Sequence, residues 1–353
     1  MKIKIDYATH LPLKIGTPVL DILVDNEEEK GLPLLVEYIN KTTNQVIETK
    51  NITISNISIP GPRQYYTDWN VNVYYNDNLI FTYDLDLSHK TVFIKIDSIA
   101  LGDTLAWIDY VDQFRIKHNC NVICSTFWNQ LFINSYPNIM FVVPNTRIDN
   151  IYAQYYVGAM GLKGYTSMYC PIHELNNPLQ KIATETLGLD FIESKPKLFY
   201  KIKPRKKKVC LSEFASSKVK EWNIPGGWQA VVDLFVKNGY EVVVISKEPT
   251  QLVNITNKTG DHSIEDRIED LIESEYFIGI SSGLTWLAWG CNTHVFLISD
   301  LTPPYHEFTT NCTRIYNEDD IKESINYKKE INPVSIDHVL SKIGHKLGVK
   351  SLA

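Results

Sequence analysis

The sequence predicts an α/β protein in three parts: a small antiparallel β sandwich or barrel over 1–88, then two doubly wound halves over 89–200 and 201–353. Two patterns predict it. Up to about residue 88 apolar and polar residues alternate with period two, as half-buried antiparallel strands require. Beyond it, short continuous apolar runs alternate with helical patterns, as buried parallel strands joined by crossover helices require. Length supports the division, because 353 residues exceed one ordinary domain. A content of 44% hydrophobic and 22% charged residues belongs to folded cores, not to a disordered chain.

The first part is carried by "GLPLLVEYIN", "QVIETKNITISNISI" and "NVNVYYNDNLIFTYDLDL", rich in Ile, Val, Thr and Tyr and broken by Asn, Asp, Gly and Pro. A hairpin is expected at Asn76-Asp77-Asn78, since Asn and Asp tolerate the left-handed turn conformation. No His, Cys or paired acids suited to catalysis occur in this part, which reads as an interaction or assembly module.

From residue 90, "TVFIKID" reads as a buried strand, followed by a helix through Ala106 to Arg115 and the strands "NVICST" and "NIMFVVP". A helix is expected from near Asn177 to Gly188. The second series opens after the basic run Arg205 to Lys208, read as solvated surface. It comprises the strand "KKVCLSEF", a helix ending at Asn238-Gly239, the strand "EVVVIS", a helix capped by Ser263, the strand "YFIGIS", the short helix "GLTWLAWGC" and the strand "HVFLIS". The chain after Pro303-Pro304 reads as less regular and closes with an amphipathic helix around "SIDHVLSKIGHKL".

Charge and cysteine usage exclude several classes. A formal net charge of -6 argues against non-specific nucleic-acid binding. No apolar run approaches the roughly 18 residues of a membrane span, and the start lacks a signal-peptide core, so the expected compartment is the cytoplasm. The 6 cysteines are scattered, with no C-x-x-C, and suggest neither a zinc ribbon nor a disulfide framework.

In doubly wound sheets ligands bind outside the C-terminal strand edges, and two such halves would make a cleft there. Gly102-Asp103 follows the first of these strands. Asp103 reads either as a helix cap or as a general base, with Gly102 letting backbone pass close to a ligand. Lys220, in the loop after "KKVCL", reads either as a solvated lysine or as a point charge for a diphosphate. Glu248 follows "EVVVIS", where an acid can bridge ribose hydroxyls or cap a turn. Ser281, Ser282 and Gly283 sit between a strand and a short helix, a cradle suited to phosphate, while Trp286 and Trp289 read as packing residues. Together these residues fit a nucleotide-sugar glycosyltransferase of the GT-B type.

Three stretches carry a resemblance: "FIKIDSIALGDTLAWIDYVDQFRIKHNCNVICSTFWNQLF", "SSKVKEWNIPGGWQAVVDLFVKNGYEVVVISKE" and "YFIGISSGLTWLAWGCNTHVFLIS". In this order and spacing they resemble the bacterial autotransporter heptosyltransferases, cousins of the lipopolysaccharide-core heptosyltransferases. The β-rich start fits the small N-terminal domain of that group. The resemblance implies inverting transfer of heptose from ADP-heptose to a hydroxyl, on Ser or Thr of a surface protein or on a surface glycan. It implies Asp103 as the base that deprotonates the acceptor, Lys220 on the sugar diphosphate and Glu248 near the ribose. Ser281, Ser282, Gly283, Leu284 and Thr285 match the phosphate-side turn.

Two departures matter. The core enzymes carry Asp-Thr-Gly-Leu-x-His where this chain has Ser281-Ser282-Gly283-Leu284-Thr285-Trp286. The autotransporter group carries a C-terminal cysteine cluster that binds iron in ring-shaped oligomers, whereas only Cys312 follows Cys291 here. The expectation is therefore no metal and no cofactor besides the nucleotide-sugar substrate, with homo-oligomerisation as a further expectation. The alternatives are another donor, UDP- or GDP-linked, for capsule or lipopolysaccharide synthesis, and a non-catalytic binding protein of the same fold.

Overall fold

The computed structural model describes residues 2–6, 17–23, 33–54, 57–158, 170–172, 177–299, 301–317 and 333–349. The chain forms two compact units, the first of Met1–Ile99, Trp107–Ile172 and Lys181–Ile192, the second of Ala100–Ala106, His173–Gln180 and Glu193–Ala353.

The first unit begins with β1 (Lys2–Asp6), β2 (Val19–Leu23), β3 (Leu34–Asn40), β4 (Gln45–Ile52), β5 (Ile57–Pro60), β6 (Trp69–Tyr75) and β7 (Asn78–Asp84). These make two antiparallel sheets, β1-β2-β5 and β4-β3-β6-β7. Alternation fixes which face is buried: Leu34, Val36 and Tyr38 of β3 lie with Trp69, Val71 and Val73 of β6. The Tyr38 hydroxyl donates to the Ile59 carbonyl at 3.1 Å, a bond between the two sheets. The β6–β7 hairpin turns on Asn76 and Asp77, both left-handed (φ 46° and 62°), as the twist of a two-residue loop demands.

The parallel sheet of this unit has the order β10-β9-β8-β11, with β8 (Thr91–Ile96), β9 (Asn121–Thr126), β10 (Ile139–Val142) and β11 (Ala153–Tyr156). Its helices are α1 (Leu101–His118), whose first residues up to Ala106 belong to the second unit, the single turn α2 (Asn129–Phe132) and α3 (Leu179–Leu187), which belongs to the first unit from Lys181 and ends at Gly188 with φ 63°. Strand β11 lies outside the sequence-based expectation: its four residues AQYY give too short a run to read. His118 ends α1 packed against Phe114 and Tyr66, ring centroids 4.4 and 4.7 Å away. Burial, with Lys117 adding repulsion, pulls its imidazole down to about 4.

The second unit contains one six-stranded parallel sheet, order β14-β13-β12-β15-β16-β17. The strands are β12 (Lys206–Ser212), β13 (Glu241–Val244), β14 (Thr256–Asn257), β15 (Ser274–Ile280), β16 (His294–Ile298) and β17 (Cys312–Ile315). The helices are α4 (Gly227–Lys237), α5 (Ile264–Ile272), α6 (Gly283–Gly290) and α7 (Ile336–Leu347). Val209, Leu211, Ile278, Ile280 and Phe296 from the central strands are buried with Val231, Val232 and Phe235 of α4 and Val339 and Ile343 of α7. α5 starts in a capping box, Ser263 accepting from the Asp266 amide at 3.1 Å while the Asp266 carboxylate accepts from the Ser263 amide at 3.2 Å.

Three residues of the basic run at the start of β12, Arg205, Lys206 and Lys207, are exposed as the sequence suggests, and Lys208 is the exception. The Arg205 guanidinium donates to the carbonyls of Leu271, Ser274 and Cys291 and to the Thr293 hydroxyl. Lys208 is 5% exposed and stands 3.5 Å from Glu273 and 3.8 Å from Asp270. The two carboxylates supply the compensation that a buried cation such as Lys208 needs.

Candidate active site

The second sheet changes direction between β12 and β15: β13 and β14 extend to one side of that pair, β16 and β17 to the other. This is the switch point at which doubly wound sheets bind ligands. Each of the four middle strands runs out into a buried serine: Ser212, Ser246, Ser281 and Ser299, none more than 6% exposed. The Ser246 hydroxyl accepts from the Glu213 amide at 3.2 Å and lies 3.4 Å from the Ser212 hydroxyl.

At the end of β15 the chain turns directly into α6. Its N-cap residue Ser282 is extended (φ -150°) and makes no side-chain cap bond. The Ser282 hydroxyl instead lies 3.2 Å from that of Thr285, whose proton goes to the Ile280 carbonyl. Thr285 is fully buried, so its hydroxyl braces the turn from inside. The first amides of α6 thus have no side-chain cap, an arrangement that suits an anion.

Gly102 and Asp103 open α1 beside this turn, within the same unit. A Cβ on Gly102 would stand 3.0 Å from Trp286 Cδ1, and one on Gly283 would stand 2.9 Å from Leu101 Cβ and 3.4 Å from the Gly102 amide nitrogen. Two glycines therefore bring the N-terminal ends of α1 and α6 into contact. Asp103 is half-buried in the first turn of α1, where the dipole of that helix favours a negative charge.

Lys220 closes a 3₁₀ turn, Lys218–Lys220, and is half-buried. It lines an open pocket of about 90 Å³ together with Trp222, Ile298, Ser299 and Leu301. Trp222 is fixed there by a 2.7 Å bond from its indole nitrogen to the Val334 carbonyl. Glu248 is exposed and does not line this pocket; its neighbour Lys247 pairs with Asp261 at 2.9 Å. Glu213 holds a more sheltered carboxylate at the same sheet edge, which accepts from the Thr250 hydroxyl and which burial pushes above the usual carboxylate range.

One ion pair at this edge was not evident in the sequence. Glu307, 2% exposed, pairs with Arg314 of β17. Burial works to raise its carboxyl, but Arg314, His306 and hydrogen bonds from Ser281 and Arg314 outweigh that and hold it at about 2. An arginine inside the strand-like CTRIY was the available signal, since a cation there needs a buried partner.

No family model matches the chain. It is 30% identical over 247 residues to the autotransporter heptosyltransferase Aah of Escherichia coli, a match covering 66% of this chain and 62% of Aah. The chain is a relative of the autotransporter heptosyltransferases. Because less than two thirds of Aah is matched, activity does not transfer with the likeness. The chain is also 24% identical to the inactive autotransporter heptosyltransferase BimC of Burkholderia thailandensis, over 71% of this chain and 63% of BimC. Its fold matches TibC of enterotoxigenic E. coli H10407 with a TM-score of 0.77 at 23% identity, covering 90% of this chain and 82% of TibC. The fold is of the GT-B type. TibC is described as an iron-containing dodecameric glycosyltransferase and has also been solved with ADP-D-β-D-heptose.

The iron in TibC corrects the sequence-based expectation of no metal, which rested on counting cysteines beyond Cys291. The described residues do not themselves fit an iron site. Among them no three His, Cys, Asp or Glu side chains stand together to hold an ion. No helix among the described residues is long and apolar enough to cross a membrane.

Proposed function

We propose that this chain is an inverting glycosyltransferase that moves heptose from ADP-heptose to a hydroxyl, on serine or threonine of a bacterial surface protein. The observation that carries the proposal is the contact between the Gly102-Asp103 end of α1 and the Ser282-Gly283 end of α6 at the switch point of the second sheet. It joins a candidate base to a candidate anion cradle. In the proposed reaction Asp103 takes the proton of the acceptor hydroxyl, whose oxygen attacks the anomeric carbon. The bond from that carbon to the diphosphate oxygen breaks as the new glycosidic bond forms, with inversion. The departing diphosphate gains charge, which the first amides of α6 and the Lys220 ammonium offset. Glu248 approaches the ribose hydroxyls. The reaction is assigned to the cytoplasm, and the dodecameric state described for TibC supports a homo-oligomer here.

The likeness to BimC, named inactive, favours one second reading: a nucleotide-sugar-binding protein without transfer. Thermal stabilisation by ADP, UDP, GDP and ADP-heptose, followed by a donor-hydrolysis assay, separates the readings, since a ligand that binds only the native state raises the melting temperature. The proposal expects a shift with ADP, a larger one with ADP-heptose, and turnover. A preference for UDP or GDP would discard heptose. Stabilisation without turnover would favour the binding protein, and no shift with any nucleotide would overturn the proposal.

A further inference from the structure

We infer that Glu307 and Arg314 are positioning residues that, through Thr302, turn Ser299 into a hydrogen-bond acceptor at the nucleotide-sugar site, so that this serine reads a hydroxyl or amino group of the donor and not its phosphates. The inference rests on the functional reading above and deepens it.

Proton bookkeeping carries the argument. The Thr302 hydroxyl donates to Glu307, at 2.9 Å from Oε1 and 3.3 Å from Oε2, and its oxygen accepts from Arg314 Nη2 at 2.8 Å. A hydroxyl has one proton, and that of Thr302 is committed to the carboxylate. The bond between the Ser299 and Thr302 hydroxyls, at 3.3 Å, must then be donated by Ser299. One buried carboxylate therefore draws the proton of the serine after β16 inward through Thr302, leaving that hydroxyl only lone pairs for a further partner. Ser299 also lines the pocket shared with Lys220. A lone pair there repels a phosphate oxygen and attracts an O–H or N–H.

Stability alone does not account for the pair. Two charged groups with side chains 1% and 8% exposed carry a desolvation cost that packed apolar residues of similar volume avoid. Arg314 is held rigidly besides, with Nη2 donating to the Thr302 carbonyl at 2.9 Å.

The test compares wild type, the paired replacement Glu307→Met with Arg314→Met, and Thr302→Val. Melting temperature, the dissociation constant for ADP-heptose and the split between kcat and KM are measured for each. The paired replacement is expected to melt within a few degrees of wild type while KM for the donor rises at least tenfold and kcat changes less. Thr302→Val leaves both charges in place and removes the hydroxyl that links Ser299 to Glu307 and accepts from Arg314; it is expected to raise KM severalfold. It keeps the test decisive should the paired variant not fold. Unchanged donor affinity in Thr302→Val, or in a folded paired variant, overturns the inference while leaving the functional reading intact. Failure of wild type to bind the donor overturns both.

Discussion

Gly283 abuts Leu101 so closely that a Cβ on the glycine would lie 2.9 Å from the Cβ of Leu101. Neither atom belongs to a flexible side-chain tip, so Gly283→Ala must displace one helix N-terminus. A loss of about 1–3 kcal/mol is expected on chemical denaturation, together with weaker ADP binding. Gly102→Ala, facing the edge of the Trp286 ring at 3.0 Å, is expected to cost less. An equal or reversed order would show that the two helix ends do not depend on this contact.

Asp103→Asn keeps the size and the capping capacity of the side chain and removes its ability to take a proton. Transfer is expected to fall by about 10²–10⁴-fold, the range for loss of a general base, with melting temperature and ADP affinity nearly unchanged. Turnover close to wild type would remove Asp103 from the mechanism.

Lys220→Ala tests the diphosphate contact by comparing two ligands. ADP and ADP-heptose are expected to bind at least tenfold more weakly, whereas adenosine, which has no phosphate, binds as before. Calorimetry with all three ligands decides it. Equal weakening of adenosine would assign Lys220 to the nucleoside instead.

His118 gives a pH dependence of known sign. Its folded-state value, about 4, lies below the ordinary 6.5, so the unfolded chain takes up the proton first as pH falls. Its contribution is complete above about pH 6.5 and is lost progressively towards pH 4, a change on the order of 2 kcal/mol. His118→Phe should flatten the melting temperature across that window. An unaltered slope would mean that other groups govern it.

Much of the architecture was legible because it rests on local rules. The period change near residue 90 marks the passage from antiparallel to parallel sheet, Ser263 announces α5, and Asn238-Gly239 ends α4, with Gly239 at φ 75°. Strands β11 and β17 were hard to read: four residues each, AQYY and CTRI, carry no apolar run, and pairing with β8 and with β16 makes them strands. The site divides in the same way. Gly102, Asp103 and the Ser281–Thr285 turn sit at strand-to-helix junctions visible in one dimension. The link from Ser299 through Thr302 to Glu307 depends on Arg314, seven residues beyond Glu307, which folds back over it. No local pattern records that.

The four acceptors of Arg205 lie 66 to 88 residues further along the chain. As the polypeptide leaves the ribosome, this guanidinium emerges well before Leu271, Ser274, Cys291 and Thr293 exist to receive it. The segment ahead of β12 therefore locks late, once most of the second sheet has been made. A nascent chain stalled before Leu271 would leave that cation without any of these partners, the kind of incompletely paired intermediate that chaperones retain.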